Sequence, residues 1–182
     1  MERSLVITLI GVDRPGLIEA LAQAVVENGG NWLESRMARL AGHFAGVLRI
    51  TAEAERVAAI ERALAQLEGL GLRTVIEAAE EPATSRERPL TLELVGQDRP
   101  GIVRQISAVL AGFGINIESL TTDRSSAPQS GESIFRASMR LRVPDPVTTE
   151  TLQRELERIA ADLMVDVLLE PAEGAREFVS GA

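Results

Sequence analysis

Leu9-Ile10-Gly11-Val12-Asp13-Arg14-Pro15-Gly16-Leu17 recurs 85 positions later as Leu94-Val95-Gly96-Gln97-Asp98-Arg99-Pro100-Gly101-Ile102. Within the motif G-x-D-R-P-G, only Val12 and Gln97 differ. The repeat decides the fold, because a duplicated supersecondary unit is read one unit at a time. The correspondence holds at the same spacing for Leu21 and Ile106, Gly29 and Gly114, and Asn31 and Asn116. Farther on, Glu34-Ser35 matches Glu118-Ser119 at 84 positions, which predicts a one-residue slip in between. The stretch from Glu80 to Pro89 is polar, bounded by proline and without apolar periodicity, so it reads as a linker. The expected organisation is a first domain at 1–79, a linker at 80–89, a second domain at 90–171 and a tail at 172–182.

Each copy reads β-α-β-β-α-β. Leu5 to Ile10 is a strand that Gly11 interrupts. Leu17, Ile18, Leu21, Ala22 and Val25 follow at helical spacing, with Pro15 expected in the first helical turn, where its missing N–H loses no partner. A strand from Asn31 to Leu40, a tight turn at Ala41-Gly42-His43 and a strand from Phe44 to Thr51 complete a hairpin. A helix through Val57, Ile60, Leu64 and Leu67 and a strand from Leu72 to Glu77 end the copy. In the second copy, Phe135, Ala137, Met139, Leu141 and Val143 alternate with Arg136, Ser138, Arg140 and Arg142, as in a strand buried on one face. Asp145-Pro146 is the expected start of the next helix, and Ser125 to Gly131 has loop composition. The fold class is therefore α+β: two ferredoxin-like domains, each a four-stranded antiparallel sheet with two helices on one face. The uncovered faces and edges predict association between copies or between chains, with a homodimer as the expected state.

The composition excludes several functions. A net charge of −8 and four Phe, one Trp and no Tyr argue against direct nucleic-acid binding, which needs basic clusters or stacking aromatics. No Cys is present, and His43 is the only His, so neither a catalytic triad nor a Cys/His metal cluster can be assembled. No cofactor motif is present: the glycines lack the Lys and Ser/Thr of a phosphate loop. The start of the chain lacks an apolar run long enough for a signal or membrane segment, so a cytoplasmic location is expected.

The turn itself suits a zwitterion. A helix start exposes unpaired N–H groups and partial positive charge, which attract a carboxylate. Asp13 and Asp98 have two readings: helix caps, or acceptors for an ammonium group. Asn31 and Asn116, expected beside the same turn, either satisfy local backbone groups or bind ligand. Trp32 lines a ligand site or packs at an interface, and Arg36, Arg39 and Arg49 read as a solvated strand face.

D-R-P-G-[LI] opening a helix, then G-x-N at the next strand, repeated in tandem, resembles the ACT domain, a regulatory amino-acid-binding module. The pair of copies, the start Leu5-Val6-Ile7-Thr8, and Asn31 followed by Glu34-Ser35-Arg36 are similar to the glycine cleavage system transcriptional repressor family. That resemblance implies a non-catalytic protein with glycine or a related small amino acid as effector. Its implied contacts are Asp13, Gly16, Leu17 and Asn31, with Asp98, Gly101, Ile102 and Asn116 in the second copy. It also implies a protein partner, a separate DNA-binding regulator. Gly11 and Gly96 stand where several amino-acid-binding members carry a polar side chain. Two other functions are compatible with the fold: an amino-acid-sensing subunit of a biosynthetic enzyme, and an acylphosphatase-like hydrolase using Arg14 and Asn31.

Overall fold

The computed structural model of the chain describes residues 1–80, 86–126 and 131–172. It divides into two compact units, Met1–Pro82 and Ala83–Ala182. The first contains β1 (Glu2–Val12), α1 (Leu17–Glu27), β2 (Gly30–Leu40), β3 (His43–Glu53), α2 (Val57–Gln66) and β4 (Leu72–Ala78). The second contains β5 (Glu87–Gln97), α3 (Ile102–Gly112), β6 (Asn116–Ser126), β7 (Ser133–Pro144), α4 (Thr149–Leu163) and β8 (Val165–Pro171). Strand order is β2-β3-β1-β4 in one sheet and β6-β7-β5-β8 in the other, antiparallel throughout. Both units are thus the βαββαβ fold that the repeat predicts.

The period-2 pattern of the strands and the helical spacing of the helices converge on one core per unit. Ile7, Leu48 and Ile50 from strands and Leu21, Ile60 and Leu64 from helices are fully buried in the first. Leu92, Met139 and Leu141 meet Ile106, Leu110, Leu152 and Leu156 in the second. Burial of each such side chain contributes roughly 1.5–3 kcal/mol.

Several local expectations need correction. Pro15 lies in the turn before α1, because the N-cap is Gly16 in the left-handed conformation at φ 90°. Asp145-Pro146 likewise precedes α4 without starting it, and Thr148 is the cap, accepting from Thr151 N at 3.2 Å. The 84-position match also fails. Both β2 and β6 carry a bulge, between Trp32 and Glu34 and between Ile117 and Ser119, so the copies stay 85 positions apart. Glu34 therefore corresponds to Ser119, and Arg39 to Arg124. The copies differ in length in the β6–β7 connection, of which residues 127–130 lie outside the described residues. Glu87, Arg88 and Pro89, expected in the linker, begin β5. Of the expected tail, Ala172 donates its N–H to Pro89 O at 3.2 Å, and the rest lies outside the described residues.

Candidate functional site

The G-x-D-R-P-G turn crosses from the end of β1 to the start of α1, and its glycines have different duties. Gly11 lies where β1 meets the residue that precedes β4: a Cβ there would overlap the carbonyl oxygen of Gly71. Gly96 is confined in the same way by Met164 O and Val165. Close backbone approach therefore explains the glycines at positions where a polar side chain was looked for. An added Cβ would meet nothing within 4 Å at Gly16 and only Gln105 Nε2, at 3.8 Å, at Gly101, but the two need φ of 90° and 98°, a region that favours glycine.

No side chain caps α1 or α3. The helix start, with Asp13, Arg14, Pro15 and Phe44, lines an open cavity of about 290 Å³. Leu17 and Ile102 are 5% and 2% exposed and belong to the cores, so what they offer at the turn is backbone N–H. Asp13 does not cap. Its Oδ2 pairs with Arg39 Nε at 2.6 Å, and Asp98 Oδ2 pairs with Arg124 Nε at 2.8 Å. The same carboxylate–guanidinium pair thus closes the turn onto the end of the edge strand in both units. The sequence pointed to Arg39 only as part of a solvated basic face, whereas it lies on the helix side and holds the turn. Its correspondence to Arg124 at 85 positions was the available signal, masked by the expected slip. The backbone helps: Asp13 N donates to Gly42 O at 2.9 Å and Asp98 N to Ser133 O at 2.8 Å.

Asn31 and Asn116 are not beside these turns. Asn31 pairs with Thr51, which stands opposite Ser4, whereas Asp13 follows the other end of β1. Asn31 and Arg39 are eight positions apart on β2, or ~26 Å at the strand rise. Asn116 and Arg124 have the same separation on β6. Asn31 instead lines a second cavity with Gly30, Trp32 and the outer side of α1, while Trp32 also packs against the first core. The Arg14–Asn31 pairing that a hydrolase would need is therefore not assembled within the first domain. Arg49 is paired with Glu34 at 2.9 Å, and His43 is exposed at the start of β3. Among the described residues there is no cluster of three or more metal-ligating side chains.

Residues 3–77 match the ACT domain family, and residues 90–161 match an ACT domain again. The chain is a tandem ACT-domain protein. The glycine cleavage system transcriptional repressor of Escherichia coli (strain K12) is 24% identical over 156 residues, spanning 83% of this chain and 80% of that protein. Phosphoserine phosphatase SerB2 of Mycobacterium tuberculosis is 28% identical over 173 residues, which are 92% of this chain but 40% of the enzyme. Among solved structures, a protein of unknown function from Galdieria sulphuraria superposes with a TM-score of 0.81 at 29% identity, covering 95% of this chain and all of that one. A candidate glycine cleavage system transcriptional repressor superposes at 0.72 with 22% identity, covering 96% and 99%, and supports the fold. The tandem ACT-domain protein is a ligand-binding regulatory protein distantly similar to those repressors. No helix among the described residues is long and apolar enough to cross a membrane.

Proposed function

We propose that this ACT-domain protein binds glycine or a similar small amino acid at the G-x-D-R-P-G turns and modulates transcription by contacting a separate DNA-binding regulator. The observation that carries the binding half is the uncapped start of α1 facing an open cavity of about 290 Å³ beside Asp13. That volume suits a small ligand, being near the lower end for ligand pockets. The α-carboxylate takes the free N–H groups and the positive end of the helix dipole. The ammonium group takes Asp13 Oδ1, since Oδ2 is held by Arg39. Gly16, Leu17, Gly101 and Ile102 contribute backbone, and Asp98 repeats the arrangement in the second domain. Asn31 and Asn116 would join such a site only from another ACT domain, given their distance from the turn in their own. The acidic chain fits a cytoplasmic protein that leaves DNA contact to its partner.

A thermal-shift screen of the twenty amino acids tests this reading. A ligand bound by the folded state alone raises the midpoint, by about 2.7 kcal/mol of stability at a hundred times its Kd. Glycine or serine is expected to shift it, and Asp13→Ala and Asp98→Ala each to remove part of the shift. A flat screen sinks the effector role. The similarity to SerB2 favours a second reading, an amino-acid-sensing subunit of a metabolic enzyme. Isolation of the native complex separates the two: a transcription regulator in it supports the first, a biosynthetic enzyme the second.

A further inference from the structure

We infer that Met164 is an oxidation site of the second domain: a peroxide converts its thioether to a sulfoxide, and the new oxygen holds Arg99 of the second G-x-D-R-P-G turn. This inference is independent of the ligand. It starts from backbone conformation. Met164 closes α4 at φ 54° and ψ 48°, in the left-handed region that a long side chain rarely adopts. Its counterpart is Gly71, at φ 75°, since Gly11 stands opposite Leu72 and Gly96 opposite Val165. Glycine takes that conformation without steric cost, so the first domain shows what the fold alone requires there. What the methionine adds is a side chain, 61% exposed, with its sulfur against the turn.

That sulfur has a specific neighbour. Arg99 Nη2 donates to Met164 Sδ at 3.2 Å and to Gln97 Oε1 at 3.0 Å. Val12 and Gly71 occupy these two positions in the first domain, and neither has a side chain that could accept from Arg14. The Arg14 side chain is accordingly exposed and in no hydrogen bond or ion pair of the described residues, whereas Arg99 is half-buried. Val12 and Gln97 are also the one mismatch within the repeated motif. The difference at that position and the left-handed residue at the end of α4 thus have one explanation, a grip on the second arginine that the first lacks.

A thioether sulfur is a weak acceptor, and oxidation makes the group polar with an oxygen that accepts strongly. In the reaction a lone pair of Sδ attacks one oxygen of the peroxide, the S–O bond forms as the O–O bond breaks, and the second oxygen leaves as hydroxide. With hydrogen peroxide, the hydroxide takes the proton of the new S–OH group and becomes water. Sulfur has then given up two electrons and the peroxide has gained them. The oxygen arrives beside a guanidinium already in place, so the contact is strengthened. Oxidation of a core methionine does the opposite, by putting a polar group into apolar packing. Met139 is fully buried and Met37 packs against the first core, so neither is open to the reagent in the same way. A peroxide therefore acts on the second turn and leaves the first as it is, because Gly71 offers no sulfur.

The experiment is a cycle of oxidation state against Arg99, made with the full chain and hydrogen peroxide. Peptide mapping by mass spectrometry should find oxygen on Met164 and on Met1, 97% exposed, before Met37 or Met139 gains any. Native-state hydrogen exchange in β5 and β8 then reads the second domain. Oxidation should favour the folded state more in the wild type than in Arg99→Ala, with the two changes in opening constant differing by about threefold or more. Met1 is common to both proteins and cancels. Met164→Leu keeps the bulk without the sulfur, and in it oxidation should have the same effect with and without Arg99. Circular dichroism of each variant confirms that folding is retained. An unoxidised Met164 in protein whose Met1 is fully oxidised, an equal response in wild type and Arg99→Ala, or a difference that persists in Met164→Leu overturns the inference.

Discussion

Gly11 and Gly16 sit five residues apart in one motif and are glycine for unrelated reasons, so the same substitution should act differently at each. At Gly11 the obstacle is space: a Cβ meets the Gly71 carbonyl, and neither backbone can yield without disturbing the β1–β4 pairing. At Gly16 nothing lies within 4 Å of an added Cβ, and the obstacle is φ alone. Gly11→Ala should therefore lower stability by about 1–3 kcal/mol through overpacking, while Gly16→Ala should cost about 1–2 kcal/mol through left-handed strain. Urea denaturation measures both. Asn at these positions distinguishes them, since Asn tolerates the left-handed region: Gly16→Asn should recover part of the loss and Gly11→Asn none. The Asp13–Arg39 pair is a different kind of contact. With side chains 31% and 71% exposed, it is screened by solvent, and Arg39→Ala should change stability by less than about 1 kcal/mol. An amino-acid-induced thermal shift that changes in Arg39→Ala by much more than the baseline midpoint would show that the pair sets the position of Asp13 for ligand.

The elements differ in how they begin, which is where reading the sequence worked unevenly. Strand and helix interiors were legible because burial imposes periods: the alternation from Phe135 to Val143 lies within β7, and Leu21, Val25, Ile60 and Leu64 all reach the core. Helix starts were not, because Pro15 and Pro146 satisfy the rule for a first turn equally well from outside it, one residue before the cap Gly16 and two before the cap Thr148. Gly16 and Thr148 take over as caps, one through backbone conformation and the other through its hydroxyl. Thr148→Ala should accordingly cost about 1 kcal/mol in chemical denaturation, with Thr148→Asn near neutral. The bulges in β2 and β6 were invisible for a related reason. A bulge puts one extra residue on its strand, and because both copies carry it at the same place the 85-position spacing is kept, so a local Glu-Ser match outweighed the true spacing. That error hid the equivalence of Arg39 and Arg124. Asn31 was placed too near the turn for a separate reason: the motif shows what the turn is made of, and only the topology places the strand ends.

At the scale of the whole molecule, duplication gives two domains whose buried residues form separate clusters, one drawn from Leu5 to Leu72 and the other from Leu90 to Leu169. Among the described residues, each helix shares a buried cluster with strands of its own copy, and the strand pairs join strands of the same copy. Damage to one core should therefore stay with that core. Leu48 is fully buried beside Ile7 in the middle of the first sheet, and Leu48→Ala removes apolar volume that the surrounding strands cannot refill. The cost should be about 2–5 kcal/mol, a large share of what a domain of this size possesses. Native-state hydrogen exchange reads the distribution directly. Amides of β1, β3 and β4 should lose protection by the full amount, and amides of β5, β7 and β8 should keep theirs. Met139→Ala, at the corresponding depth in the second core, should give the mirror pattern. Equal loss in all six strands would mean that the two domains unfold as one cooperative unit, with the stability of each conditional on the other.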